Sequence, residues 1–306
     1  MEEKIFTALK EKITAGSVLK DEPLSNYTSF RTGGPADCMV MPGTEAELAA
    51  VLKLARTNGI PFYIMGNGSN LLVSDEGYRG IIILLRRSNA ELTFAEADGQ
   101  MLVTAAAGCA LTRLAVETAR QGLAGLSFAA GIPGSVGGAV VMNAGAYGGE
   151  IRDCLISVRT MDCSGGIHER SAAELDLTYR HSNLPEREEI VLEAVFGLSR
   201  GDRNAILGEI SELNGCRRDK QPLEYPSAGS TFKRPEGYYA GKLIEDAGLK
   251  GYTVGGACVS EKHCGFVINR DGATSADIMQ VINDVQRRVF ETFGVRLEPE
   301  VRFVGF

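Results

Sequence analysis

Two short runs of small residues constrain this chain more than anything else in it: Gly-Asn-Gly-Ser-Asn at 66–70 and Ala-Gly-Ile-Pro-Gly-Ser-Val-Gly-Gly at 130–138. Each follows an apolar or strand-like segment, and each strings together residues with little side chain. Such a stretch bends sharply, lets another molecule approach the backbone, and turns successive N–H groups toward an anion. Pro133 fixes its own turn and donates no N–H. A pyrophosphate is the ligand this pattern suits, and a tight turn without a ligand is the plainer alternative. Glycine is abundant, at 37 of 306 residues, but it is neither periodic nor mixed into Ser/Pro tracts. Collagen-like and linker readings therefore fail.

Around these loops the chain reads as α+β. Ile5, Leu9 and Ile13 recur on one helical face. The stretch 26–35 reads as a loop. A second helix spans 45–58, with Gly59 as its stop. Apolar strands follow at 62–65 and 81–85, a third at 101–107, and a helix at 111–121 closed by Gly122. Further strands are expected at 155–162, 190–199, 266–269 and 301–304. Helices are expected at 202–213, 238–247 and 275–293, the last opened by a Thr274/Asp277 capping box. No internal repeat or low-complexity block is visible. A domain break falls near residue 200.

Charge and cysteine usage narrow the function classes. A formal net charge of -7 argues against nucleic acid as a partner. The seven cysteines form no C-x-x-C pair and their number is odd, which suits reduced thiols. The opening MEEKIFTALKEKITAG lacks an apolar signal region, and no stretch approaches a membrane span. A soluble, cytoplasmic protein with no membrane insertion is expected. Two nucleotide motifs nearly match and fail. Gly66–Leu71 has Leu71 where a Rossmann fingerprint needs its third glycine. GYYAGKL at 237–243 is one residue short of a P-loop and ends in Leu243 rather than Ser/Thr. His168, His181 and His263 are scattered, so no metal centre is expected.

The two loops, together with Tyr-Arg-His-Ser at 179–182, AGSTFKRP at 228–235 and LEPEVRF at 297–303, occur in an order that resembles the UDP-N-acetylenolpyruvoylglucosamine reductases. The resemblance runs from about residue 26 to 306. It implies an FAD-binding fold of the vanillyl-alcohol-oxidase type, with two subdomains at 1–92 and 93–200. A C-terminal α+β substrate domain would occupy 201–306, its last strand returning to the first subdomain. It further implies non-covalent FAD, NADPH as hydride donor, a UDP-sugar substrate, and a role in peptidoglycan precursor synthesis. A monomer or weak oligomer is expected.

The resemblance assigns residues as well. FAD would be held by Gly66, Asn67, Gly68, Ser69, Asn70 and Leu71, and by Gly131, Ile132, Pro133, Gly134, Ser135, Gly137 and Gly138. Thr32, Asn143, Gly145 and Arg217 would join them. Arg180 would be the cation that meets carboxylate charge, Ser230 the proton donor, and Glu300 the catalytic glutamate. Glu300 would need a raised pKa for that role. Glu298, two residues away, would share its face on a strand, so spacing alone does not choose between them. Tyr179, Lys220, His263 and Arg302 would line the substrate. Cys264 departs from the small residue expected beside His263. The short chain after Arg180 resembles the branch of the family without an inserted tyrosine loop, which leaves the clamping role unassigned, with Tyr147 one candidate. Rival readings are another flavoenzyme of this fold, a non-catalytic flavin binder, or a P-loop transferase.

Overall fold

The protein is described here from a computed structural model, which describes residues 2–85, 92–97 and 99–306. The chain divides into two compact units. The first comprises Met1–Lys20, Cys38–Asn67 and Gly80–Gly215, and the second Asp21–Asp37, Gly68–Arg79 and Cys216–Phe306.

In the first unit, helix α1 (Glu3–Lys12) buries Ile5, Phe6 and Leu9. Helix α2 (Glu45–Thr57) buries Leu48, Val51, Leu52 and Ala55, the stripe read from the sequence. Its N-cap Thr44 accepts the N–H of Glu47. The Glu47 carboxylate in turn accepts from the backbone N–H groups of Thr14, Ala15 and Gly43. These bonds hold its pKa below the usual carboxylate value, the Ala15 N–H contributing most. Both helices pack on Ile81 and Ile83 of Tyr78–Leu84, a strand paired in parallel with Phe62–Met65. The sheet order is Ser17–Pro23, Pro35–Met41, Tyr78–Leu84, Phe62–Met65. The first two strands were not legible, because SVLKDEP has a charged centre and no alternation.

A second, antiparallel sheet runs in the order Ile167–Ser171, Leu155–Asp162, Glu189–Arg200, Gln100–Ala106, Leu92–Ala97. Helix α3 (Leu111–Arg120) packs on it through Leu111, Leu114 and Ala115. The glycine-rich stretch is not a loop throughout: Val136–Val141 forms a short helix, α4. Helix α5 (Arg203–Lys220) runs seven residues beyond its expected end, through a polar tail with little amphipathic signal.

The second unit is built around helix α7 (Ser275–Phe293). Its Thr274/Asp277 capping box is present, and Gly294 closes it with φ +69°. Ile278, Val281, Ile282, Val285 and Val289 pack with Phe30, Leu72, Phe232, Val259, Val267 and Ile244, the last from helix α6 (Ala240–Asp246). A three-stranded antiparallel sheet joins Thr253–Val254, Ala257–Val259 and Val267–Asn269. Arg302–Val304 pairs in parallel with Leu71–Val73. Among the described residues, no helix is long and apolar enough to cross a membrane.

Candidate active site

The first glycine loop leaves strand Phe62–Met65 just past the Met65–Leu84 register pair. A Cβ on Gly66 would run into Ser135 Oγ, so any larger residue there forces the hydroxyl that caps α4 to move. Asn67 Nδ2 donates to Pro133 O at 3.2 Å, which ties the start of the first glycine loop to the second within the first unit. Among the described residues, the N–H groups of Asn67, Gly68, Ser69 and Asn70 donate to no protein acceptor. In the second loop most donors are spent. Ile132 N–H goes to Ala129 O, Val136 to Cys109 O, Gly137 to Ala107 O, and Gly138 to Ser135 Oγ, which caps α4. The second loop is therefore largely a packing element, and the unspent backbone donors concentrate in the first.

Thr32 belongs to the second unit, where Ser29 N–H donates to Gly68 O at 3.1 Å. Thr32 is 4% exposed, and its Oγ1 has no partner. A buried hydroxyl in that state calls for a polar ligand. Arg217, also expected near the cofactor, is buried on α5.

Arg180 sits at the tip of a two-residue turn in the first unit. Thr178 and His181 exchange N–H···O bonds at 3.2 Å, leaving Tyr179 and Arg180 between them. Arg180 has φ +56°. Its guanidinium donates to Gly145 O at 2.9 Å and stacks 4.9 Å from the Tyr179 ring centroid. Asn143 turns its side-chain amide into the protein. It is fully buried, and its amide bonds Thr178 O, Glu150 Oε2 and the Arg152 N–H.

Ser230 and Glu300 share one framework in the second unit. Thr231 is the hub: its N–H donates to Gly265 O, its carbonyl accepts Glu300 N–H at 2.8 Å, and its hydroxyl accepts Val267 N–H at 2.9 Å. Phe232 bridges Pro299, and Lys233 N–H donates to Glu298 O. Asn70 closes the set, with Nδ2 donating to Glu300 O at 3.0 Å and its own carbonyl accepting Arg302 N–H. The exposed Ser230 follows Gly229 in its left-handed turn, φ +75°. The two glutamates part company. Glu298 is 70% exposed and its carboxylate is drawn to Lys233 Nζ at 2.6 Å, whereas Glu300 is half-buried. The two flank Pro299, which bridges Phe232 just ahead of the final strand at Arg302–Val304, and they differ in burial and side-chain partner.

His263 is half-buried and edge-on to Phe266, 5.0 Å between centroids. Its Nδ1 accepts Gly265 N–H at 3.1 Å, so Nε2 carries the proton. Burial lowers its pKa below the ordinary value. Cys264 is buried in the α7 core, where desolvation pushes its thiol up. Tyr179, Lys220 and Arg302 are exposed. Sequence reading missed Thr231 and Asn70 as framework residues, because their partners lie far along the chain.

Comparison with known proteins finds two families along the chain. The family described as the UDP-N-acetylenolpyruvoylglucosamine reductase C-terminal domain matches residues 221–304, and an FAD binding domain family matches residues 36–171. The UDP-N-acetylenolpyruvoylglucosamine reductase of Lachnoclostridium phytofermentans is 51% identical over 305 residues, covering 100% of this chain and 98% of that one. The reductase of Caldanaerobacter subterraneus subsp. tengcongensis is 48% identical, with 100% and 99% covered. The crystal structure of the Thermus caldophilus reductase superposes with a TM-score of 0.77 at 35% identity, over 94% of this chain and 98% of that one. With its α+β FAD-binding part of the vanillyl-alcohol-oxidase type and its C-terminal α+β domain, the chain belongs to the UDP-N-acetylenolpyruvoylglucosamine reductases, which are FAD-dependent oxidoreductases.

Proposed function

We propose that Arg180, Ser230 and Glu300 carry the reduction of the enolpyruvyl double bond of UDP-N-acetylenolpyruvoylglucosamine to UDP-N-acetylmuramate, with NADPH as the source of electrons. The residues present fit FAD: a run of four unspent N–H groups suits a diphosphate, and the orphaned Thr32 hydroxyl awaits a polar partner. Gly66–Leu71, Gly131–Pro133, Gly134, Ser135 and Gly145 would hold it, with Gly137 and Gly138 shaping the second loop from behind. When bound, FAD would supply the hydride-transfer chemistry that links NADPH to C3 of the enolpyruvyl group.

The protein's share is charge and proton management. Hydride arrival at C3 drives negative charge toward C2 and the carboxylate. Arg180, always cationic and shaped to grip a carboxylate with two N–H groups, meets that charge. The Ser230 hydroxyl delivers a proton to C2, and Glu300 assists from the same backbone framework. Lys220 and Arg302 take the diphosphate or carboxylate of the substrate, and Tyr179 and His263 line its path. The division 1–92, 93–200 and 201–306, a cytoplasmic location and a monomeric or weakly associating state complete the reading.

One observation carries the assignment of the carboxyl group: Glu300 is anchored on Thr231, next to Ser230, while Glu298 is spent on Lys233. The purified protein should carry a yellow, acid-releasable flavin that NADPH bleaches and the enolpyruvyl substrate recolours. A colourless protein that takes up no FAD, or a reduced flavin that this substrate cannot reoxidise, would overturn the reading.

A further inference from the structure

The turn that bears Arg180 is fastened to residues 141–145 at three points. Ser182 Oγ donates to Val141 O at 2.8 Å, Asn143 Nδ2 to Thr178 O at 2.9 Å, and Arg180 itself to Gly145 O at 2.9 Å. Asn143 is the deepest of these anchors. Its Nδ2 also donates to Glu150 Oε2 at 3.0 Å, and its Oδ1 accepts Arg152 N–H at 2.9 Å. Both amide hydrogens are thus spent. Thr178 O can only accept and Arg152 N–H can only donate, so one amide orientation satisfies both. Asn143 adopts φ +39°, a region asparagine tolerates better than other side-chain-bearing residues.

Arg180 holds φ +56°, which is costly for a non-glycine residue and persists only where the surroundings impose it. The N–H···O bonds between Thr178 and His181 close the turn but do not locate it. We infer that Asn143 is a positioning residue: by gripping Thr178 O at the base of the turn, it fixes where the Arg180 guanidinium is presented. The inference rests on the reading of Arg180 as the cation that meets the substrate's carboxylate charge.

The test uses the FAD-loaded protein and separates its two half-reactions in a double-mutant cycle. Asn143→Gly removes the amide and keeps the left-handed backbone free of strain. Flavin content and bleaching by NADPH should stay within about twofold of the parent, while reoxidation by UDP-N-acetylenolpyruvoylglucosamine should slow between about tenfold and a hundredfold. In an Arg180→Ala background the same change should cost less than about twofold further, since the residue it serves is gone. Reoxidation at the parent rate in Arg180→Ala would refute the reading of Arg180 itself. A slow Arg180→Ala with a normal Asn143→Gly, or an Asn143→Gly loss of equal size in both backgrounds, would refute the positioning role alone. Should Asn143→Gly not hold FAD or not fold, Asn143→Asp runs the same cycle with the same readings. It keeps the acceptor for Arg152 and sets an oxygen against Thr178 O.

Discussion

Ser230 stands at the end of a left-handed glycine turn, with Thr231 bonded on three sides behind it. Its backbone is therefore fixed while its side chain stays exposed, the condition for a proton donor that must reach a substrate atom. Ser230→Ala should leave flavin reduction by NADPH nearly intact and slow substrate-driven reoxidation by about 10²–10⁴-fold, as removal of a general acid does. Stopped-flow absorbance of the two half-reactions checks this, and parent rates in both would exclude the role. The two glutamates make a sharper comparison. Glu298→Gln breaks only an exposed pair with Lys233, worth little, and should keep kcat within about twofold. Glu300→Gln should cost kcat about a hundredfold or more. Steady-state assay of both variants decides, and equal losses would mean the carboxylates act together.

Among elements, α4 and α7 depend most on their ends. Ser135 caps α4 and also fills the space in which Gly66 has no Cβ. Ser135→Ala should cost about 1 kcal/mol of stability in urea unfolding, with no larger loss of backbone geometry in the first loop. Helix α7 carries an acidic anchor, Asp284, which accepts from Gln280, Arg287 and Tyr252 and is pulled down to about 2. A carboxyl whose folded pKa lies below its ordinary 3.8 stabilises the protein above that value and ceases to as pH falls through about 2. Asp284→Asn should lower Tm at neutral pH and flatten the fall of Tm between about pH 4 and pH 2 in circular dichroism melts. An unchanged acid slope would mean other carboxylates govern it. Periodic elements were legible for a plain reason: α2 and α7 concentrate their apolar residues at the spacing their own geometry buries, while Phe62–Met65 shows as a short continuous apolar run. Pro35–Met41 was hidden after a loop signal, and α4 inside glycines, because neighbours rather than local propensity hold them. The site was legible as short motifs in order. What those motifs could not disclose was who occupies whom: that Lys233 takes Glu298 and that the Asn143 amide is consumed by Thr178, Glu150 and Arg152.

For the molecule as a whole, each unit is assembled from three separate stretches of chain. The second unit draws Phe30 and Leu72 into the α7 core from its two shorter stretches, and both are fully buried. Asn269 Nδ2 donates to Phe30 O, and Asp75 accepts the N–H groups of Ser275 and Ala276 at the start of α7. Residues 216–306 alone would lack all of these. Losing one buried aromatic or leucine commonly costs ~3 kcal/mol or more, against a total of about 5–15. The fragment 216–306 should therefore show no cooperative thermal transition by circular dichroism, although the C-terminal domain family match lies wholly within it. A sharp melt would show that the short stretches are dispensable. The parallel pair of Arg302–Val304 with Leu71–Val73 adds a matter of timing. During synthesis, the stretch just after the first glycine loop emerges about 230 residues ahead of the segment that pairs with it. Its edge stays open, and the Asn70 clasp on Glu300 unmade, for nearly the whole of translation. A chain cut short anywhere before residue 300 would thus have an unprotected strand and no anchored glutamate.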